Sequence, residues 1–460
     1  MDVQIISKKL IKPSVPTPSH LQNMRISFMD QVITPRTVPI IFYYSNINGN
    51  YHAFEQVDDQ RQKRLIKSLS ENLTLYYPLA GRYIKENQLI NCNDEGVEYT
   101  EALVNGELSQ ILQGKIEPKE LNRFVPEEVE ESATSALVSI QISIFNCGGL
   151  AIGLRFSHRI IDAFTLSLFT NGWAKACKVG NINDVTMTIP SFVSGILFPP
   201  RDISRYKPQL LSKSKSDQVV TKRIVFDANI ISKLKADQAT RLNCKPSTAE
   251  VLIALIWRAQ INAARARHGR LRTSLLVVVM NLRGKKFKKI PENCCGNLFS
   301  RVTARFDQGN ERKIMGLNEF VDQVMGAIRN SNMEYAKVVT QGGDDEDGFF
   351  SKVIMKPYIE LFEETRKEEG DVQIFSSVRN FPFYEVDFGW GKPAWVSFAQ
   401  RVYKGVLLID GKDGDGIEAW VTMEENEMAY FLKDPSIVMS MENSSRNGDG
   451  RNIPISRSKM

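Results

Sequence analysis

The sequence predicts a two-domain protein built from both helices and strands, and three observations carry that expectation. The chain has 460 residues, beyond the size at which one hydrophobic core usually keeps growing. Its apolar residues recur with period two in some stretches and at helical spacing in others. Near the middle, residues 196–218 are rich in Pro, Ser and Lys, with Pro199-Pro200 followed by Ser212, Ser214 and Ser216. The expected division is an N-terminal domain over 1–195, a crossover linker over 196–218 and a C-terminal domain over 219–441. From Glu442 onward Asn, Ser, Arg and Gly dominate, so 442–460 is expected to be a disordered tail.

The elements follow in order. Leu65, Ile66, Leu69 and Leu73 recur at helical spacing, predicting an amphipathic helix from Asp59 to Tyr77 that Pro78 ends. Val138, Ile140, Ile142 and Ile144 alternate with Ser139, Gln141 and Ser143, which predicts a half-buried strand. Cys147-Gly148-Gly149 is the turn, and Ile152, Leu154 and Phe156 form the return strand. Phe164, Leu168, Phe169 and Trp173 then mark a helix face. Beyond the linker, Lys222–Phe226 reads as a strand. Ser247-Thr248-Ala249-Glu250 has the form of a capping box opening a helix that Gly269 stops after His268. Leu275–Met280 is a continuous apolar run of strand length, ending at Asn281-Leu282-Arg283. Glycines after the apolar Val406–Ile409 suggest a hairpin, since Asp413-Gly414-Asp415-Gly416 fails the spacing of a calcium loop.

Composition narrows the function classes. With 42% hydrophobic and 24% charged residues the chain has an ordinary globular balance. A net charge of +6, from 59 basic and 53 acidic residues, is too mild to point to nucleic acid. Six cysteines with no C-x-x-C pattern predict free thiols in a reducing compartment. No signal peptide follows Met1 and no apolar run approaches membrane-spanning length, so a cytoplasmic protein with no membrane partner is expected.

The sharpest chemical feature is Ser157-His158-Arg159-Ile160-Ile161-Asp162. Of the four histidines, His20, His52, His158 and His268, only His158 sits where a predicted strand gives way to a helix. Such a junction can hold the backbone in the core while the side chain faces a cleft. Histidine also suits proton transfer near neutral pH. Asp162 need not point where His158 points, because the intervening residues make the turn; Arg283, at the end of a buried strand, is its expected partner. A second landmark is Asp387-Phe388-Gly389-Trp390-Gly391-Lys392-Pro393. Its two glycines predict tight backbone turns that seat Trp390 as a packing anchor, so Asp387, Gly389, Trp390 and Gly391 are read as structural. The basic run Lys285, Lys286, Lys288 and Lys289 reads as a solvated loop that could attract anions. No serine or cysteine nucleophile motif is evident.

Taken together with Lys9-Leu10-Ile11-Lys12-Pro13, Tyr76-Tyr77-Pro78-Leu79-Ala80-Gly81-Arg82, Phe198-Pro199-Pro200 and Asn281-Leu282-Arg283, these motifs resemble the BAHD family of plant coenzyme A-dependent acyltransferases. They are closest to its subgroup of alkaloid acetyltransferases. The resemblance implies an α/β protein with the two-domain chloramphenicol acetyltransferase-like fold, a mixed sheet in each domain with flanking helices, and the 375–395 segment packing with the N-terminal domain. It implies acetyl transfer from acetyl-CoA, a co-substrate rather than a bound cofactor, to a hydroxyl of a specialised metabolite such as an alkaloid. Attack is direct, with His158 as general base. Asp162 and Arg283 are implied to be structural at the site. In Ser376-Ser377-Val378-Arg379-Asn380, Ser376 keeps a hydroxyl that could donate to an oxyanion, while Val378 and Asn380 replace the family's Trp and Arg. Ser247 and Thr248 are the expected coenzyme A contacts. No metal and a monomeric state are expected. The alternatives are transfer of another acyl group, a volatile-alcohol or sugar-ester acceptor, and a catalytically silent binding protein of the same fold.

Overall fold

The computed structural model describes residues 1–45, 54–113, 116–128, 132, 134–182, 188–203, 219–242, 244–284, 290–307, 316–342, 348–367, 370–401, 403–414 and 416–448. The basic run at 285–289 and most of the expected linker, 204–218, lie outside them.

Two six-stranded mixed sheets organise the chain. In the first the strand order is Asp2–Ile11, Val97–Asn105, Val138–Phe145, Leu150–Ser157, Thr37–Tyr44 and Trp395–Ser397. Only Val97–Asn105 and Val138–Phe145 run parallel. In the second the order is Phe299–Phe306, Thr273–Asn281, Gly370–Ser377, Gly405–Asp410, Gly416–Glu424 and Val219–Asp227. Its two parallel pairings flank Gly370–Ser377. Trp395–Ser397 comes from the C-terminal half yet pairs with Thr37–Tyr44, and Phe383, Val386 and Phe388 pack into the first core beside it.

Helices cover each sheet by burying one apolar stripe. Phe54–Leu75 buries Leu65, Leu69 and Leu73 against Ala163–Val179, where Trp173 donates its indole N–H to the Leu65 carbonyl at 3.1 Å. The first of these helices stops at Leu75, three residues before Pro78, as expected where proline disfavours helical backbone ahead of it. Thr248–His268 carries the expected Ser247–Glu250 capping box, ends at Gly269 in a left-handed conformation, and fills the second core with Leu252, Leu255, Ile256 and Trp257.

Two expectations are corrected. Val138–Phe145 is buried on both faces rather than half-buried. Its polar positions find partners inside: Gln141 donates to the Arg123 carbonyl at 2.8 Å and Ser139 to Glu98 at 3.0 Å. The period-two pattern marked two chemically different faces, and the Pro118–Phe124 turn covers the polar one. At the C-terminus a helix, Pro435–Gly448, runs past the expected start of the disordered tail. It begins at a proline, whose fixed φ suits the first helical position, and is seated by fully buried Ile437.

Candidate active site

The strand Leu150–Ser157 delivers His158 to the seam between the two sheets. The His158 amide donates to the Arg36 carbonyl at 2.8 Å, so the ladder holds the histidine backbone one residue past the strand. Four residues on, Asp162 caps Ala163–Val179, accepting from the Thr165 amide and hydroxyl, each at 2.8 Å.

A fixed amide orients the imidazole. His158 Nδ1 lies 3.0 Å from Asn297 Oδ1. The Asn297 amide nitrogen donates to the carbonyls of His158 and Arg159, both at 2.9 Å, and to Asp30 Oδ1 at 2.8 Å. Three acceptors around Nδ2 determine which way the amide points, so Oδ1 must accept from Nδ1–H. The proton is therefore on Nδ1, and Nε2 keeps its lone pair. Asp30 is buried, accepts the Asn297 backbone N–H at 3.0 Å, and is capped by Ser27. Burial raises its pKa. Neither Asp30 nor Asn297 was identified as a site residue from sequence.

Asp162 does not touch the imidazole. Arg283 Nη1 donates to Asp162 Oδ2 at 2.7 Å and Nη2 to Oδ1 at 3.2 Å, a buried bidentate pair between the two halves of the chain. The Leu298 amide adds a third anchor to Asp162 at 3.2 Å, and Arg283 donates to the carbonyls of Cys294 at 2.8 Å and Gly296 at 2.9 Å. Gly296 has φ +129°, and a Cβ there would lie 2.8 Å from Ser194 Oγ. The Asp162–Arg283 pair thus pins the 294–298 segment, and that segment presents Asn297 to His158.

His158 opens on a cavity lined from both halves of the chain, with Phe156, Phe164, Phe299, Phe381 and Phe383 among its walls. Ser376 lines the same cavity, and so does Val378. Burial is the main force on the imidazole, with the nearby Arg36 cation next, and they bring its pKa down to about 4. The histidine is thus neutral at physiological pH and a weaker proton acceptor than an exposed one.

The remaining predicted residues lie elsewhere. Asp387 accepts the amides of Gly389 at 2.8 Å and Gly391 at 2.9 Å and pairs with Lys178 at 2.7 Å. Both glycines have positive φ, and Trp390 stacks on Phe388 at 5.6 Å. None of these four lines the His158 cavity. Ser247 spends its hydroxyl on the Glu250 amide at 3.2 Å. Thr248 lines an open depression with Lys235, Arg379 and Lys412, and Phe381 borders both this depression and the His158 cavity. Asn380 sits in a left-handed conformation, φ 63°, with its amide on Asp410 at 2.6 Å. Among the described residues no cluster of metal-ligating side chains occurs, and no helix is long and apolar enough to cross a membrane.

Known proteins share this architecture. The model of the Transferase family matches residues 1–438. An acetyl-CoA-benzylalcohol acetyltransferase of Clarkia breweri is 34% identical over 444 residues, covering 94% of this chain and 98% of that one. Vinorine synthase of Rauvolfia serpentina is 33% identical over 444 residues, covering 93% and 95%. The crystal structure of vinorine synthase superposes with a TM-score of 0.77 at 30% identity, covering 96% of this chain and 98% of that one. With the His158 turn, the Asp162–Arg283 pair and the Asp387–Gly391 turn all in place, the chain belongs to the BAHD family of plant coenzyme A-dependent acyltransferases.

Proposed function

We propose that the protein transfers an acyl group, acetyl in the simplest case, from acyl-CoA to a hydroxyl of a specialised metabolite, an alkaloid alcohol among the candidates. The observation that carries this reading is a neutral His158 with its Nδ1 proton held by Asn297 and its ring at a cavity shared by both halves of the chain. Nε2 takes the acceptor's hydroxyl proton as the oxygen attacks the thioester carbonyl. Ser376, on the same cavity wall, is assigned to donate to the tetrahedral oxyanion. As the intermediate collapses the C–S bond breaks, and the coenzyme A sulfur leaves with the proton held on His158.

Direct attack needs no enzyme nucleophile, and the cysteines do not offer one. Burial pushes the Cys177 and Cys294 thiols up to about 11, and no cysteine lines the cavity among the described residues. The depression around Thr248, Lys235, Arg379 and Lys412 is the assigned entry for coenzyme A, where cations and a helix N-terminus suit phosphates. Arg379 is partly engaged there by Asp410 at 2.8 Å. Val378 fills less of the cavity than a Trp would. We take the protein to act as a cytoplasmic monomer, consistent with its six free cysteines. Incubation with labelled acetyl-CoA and a panel of alcohols tests the reading: transfer to at least one acceptor is expected, and the absence of both transfer and coenzyme A binding overturns it.

A further inference from the structure

The cavity that holds His158 is lined by aromatic and polar side chains and carries an excess of positive charge, since Asp162, the acid on its wall, is already paired with Arg283. Arg36, Arg301, Arg401 and Lys404 all line it. Lys404 is neutralised by Glu424 at 2.7 Å, and Arg401 donates to the carbonyls of Trp420 at 3.1 Å and Gly405 at 3.5 Å. Arg36 and Arg301 have no such partner: among the described residues neither guanidinium makes an ion pair or a side-chain hydrogen bond, and Arg36 Nε is buried without an acceptor. Their neighbours are rings. Arg36 lies 4.1 Å from the Tyr403 ring centroid, and Arg301 lies 5.3 Å from Tyr358 and 5.5 Å from Phe299. Phe299 in turn packs on His158 at 6.1 Å. Glu128, an acid whose charge reaches Tyr403, is occupied by Arg155 at 3.6 Å and by the Thr37 hydroxyl at 3.2 Å.

Both side chains are half-buried on the cavity wall, and two cations without an ionic partner there suit an anion that enters the cavity. Their charges are felt by the groups around them. Burial, with a further push from Arg36, brings the Arg301 guanidinium down to about 10. Burial raises the Tyr403 hydroxyl, yet Arg36 and Arg401 draw it below its ordinary value. Arg301 also faces the reaction. It pairs with Val279 across the second sheet, and both line the cavity with Ser376 on the next strand but one. Guanidinium forks match planar carboxylates in geometry.

We propose that Arg36 and Arg301 form a carboxylate subsite, so that the substrate brought to His158 carries an anionic group. This rests on the acyltransferase reading and sharpens it. The carboxylate belongs either to the acceptor, as a hydroxy acid, or to the acyl group, as a dicarboxylic monothioester. An acceptor bearing a protonated amine has to place it away from these two guanidiniums.

Calorimetric binding of p-hydroxymethylbenzoate and of its methyl ester, with transfer kinetics for both using acetyl-CoA, reads the acceptor arm. Malonyl-CoA against acetyl-CoA with benzyl alcohol reads the donor arm. The charged member of one pair is expected to be preferred, and Arg301→Gln or Arg36→Gln should erase about 10- to 150-fold of that preference, the scale of hydrogen bonds to a charged group. Arg301→Lys, which keeps the charge, should retain part of it and separates loss of the subsite from loss of the fold. The inference is overturned if wild type prefers the neutral member in both arms, or if the preference survives both Gln substitutions. Binding preference without any acyl transfer would overturn the acyltransferase reading and leave the subsite standing; transfer without preference would do the reverse.

Discussion

Asp162→Asn removes one charge from the buried pair while leaving the side chain's shape and its ability to cap the helix. In the native site Asp162 accepts five hydrogen bonds, two from Arg283, two from Thr165 and one from the Leu298 amide. The asparagine oxygen can keep the Thr165 cap, but its NH₂ then faces the Arg283 donors. Stranding one partner of a buried pair costs roughly 3–5 kcal/mol. Arg283 retains the Cys294 and Gly296 carbonyls as acceptors, which places the expected cost near the lower end, about 3 kcal/mol. Against a typical total stability of about 5–15 kcal/mol that is a large fraction. Urea unfolding followed by tryptophan fluorescence should show the lowered midpoint. Arg283→Gln should match it, and the double variant should cost less than the sum of the singles by about 1–3 kcal/mol. Activity should fall as well, since the pair holds the segment that carries Asn297. Single variants below about 1 kcal/mol that add independently would refute the reasoning, because solvated or uncoupled groups behave in that way.

The pH profile of kcat/KM should rise through about 4 and stay flat toward neutrality, because the reactive imidazole is the neutral form and burial with Arg36 disfavours its protonation. Arg36→Gln removes part of that effect and should move the acid limb upward; a wild-type limb at the ordinary histidine value would contradict the assignment. Asn297→Ala frees the imidazole to take either tautomer and forfeits a hydrogen bond of about 1 kcal/mol, so kcat should fall roughly fivefold or more; an unchanged kcat would show that the tautomer is set elsewhere. Gly389→Ala forces an alanine into φ +107° against Lys178 and should lower stability by about 1–2 kcal/mol. Its kcat per folded molecule should persist, and a selective loss of kcat would place the Asp387–Gly391 turn in the chemistry.

Local pattern carried much of this site. Period-two residues ending at Phe156 placed His158 past a strand, and the apolar stripe from Phe164 placed Asp162 at a helix start. The Ser247–Glu250 cap was readable because all its partners lie within one turn. Asn297 and Asp30 were not readable. Asn297 meets His158 across 139 residues and Asp30 across 267, and neither sits in a periodic stretch that would single it out. The same holds for Arg36 and Arg301, whose lack of counter-ions is a property of their surroundings. Burial of the second face of Val138–Phe145 depends on the separate Pro118–Phe124 turn, which alternation within the strand cannot report.

The central claim is that His158 is the base. Removing a general base typically costs about 10²–10⁴-fold in rate. Single-turnover acyl transfer by His158→Ala, measured beside its affinity for coenzyme A, tests this most directly. The account predicts a rate lower on that scale with coenzyme A binding largely kept. A variant that transfers acyl groups within a factor of a few of wild type would contradict it.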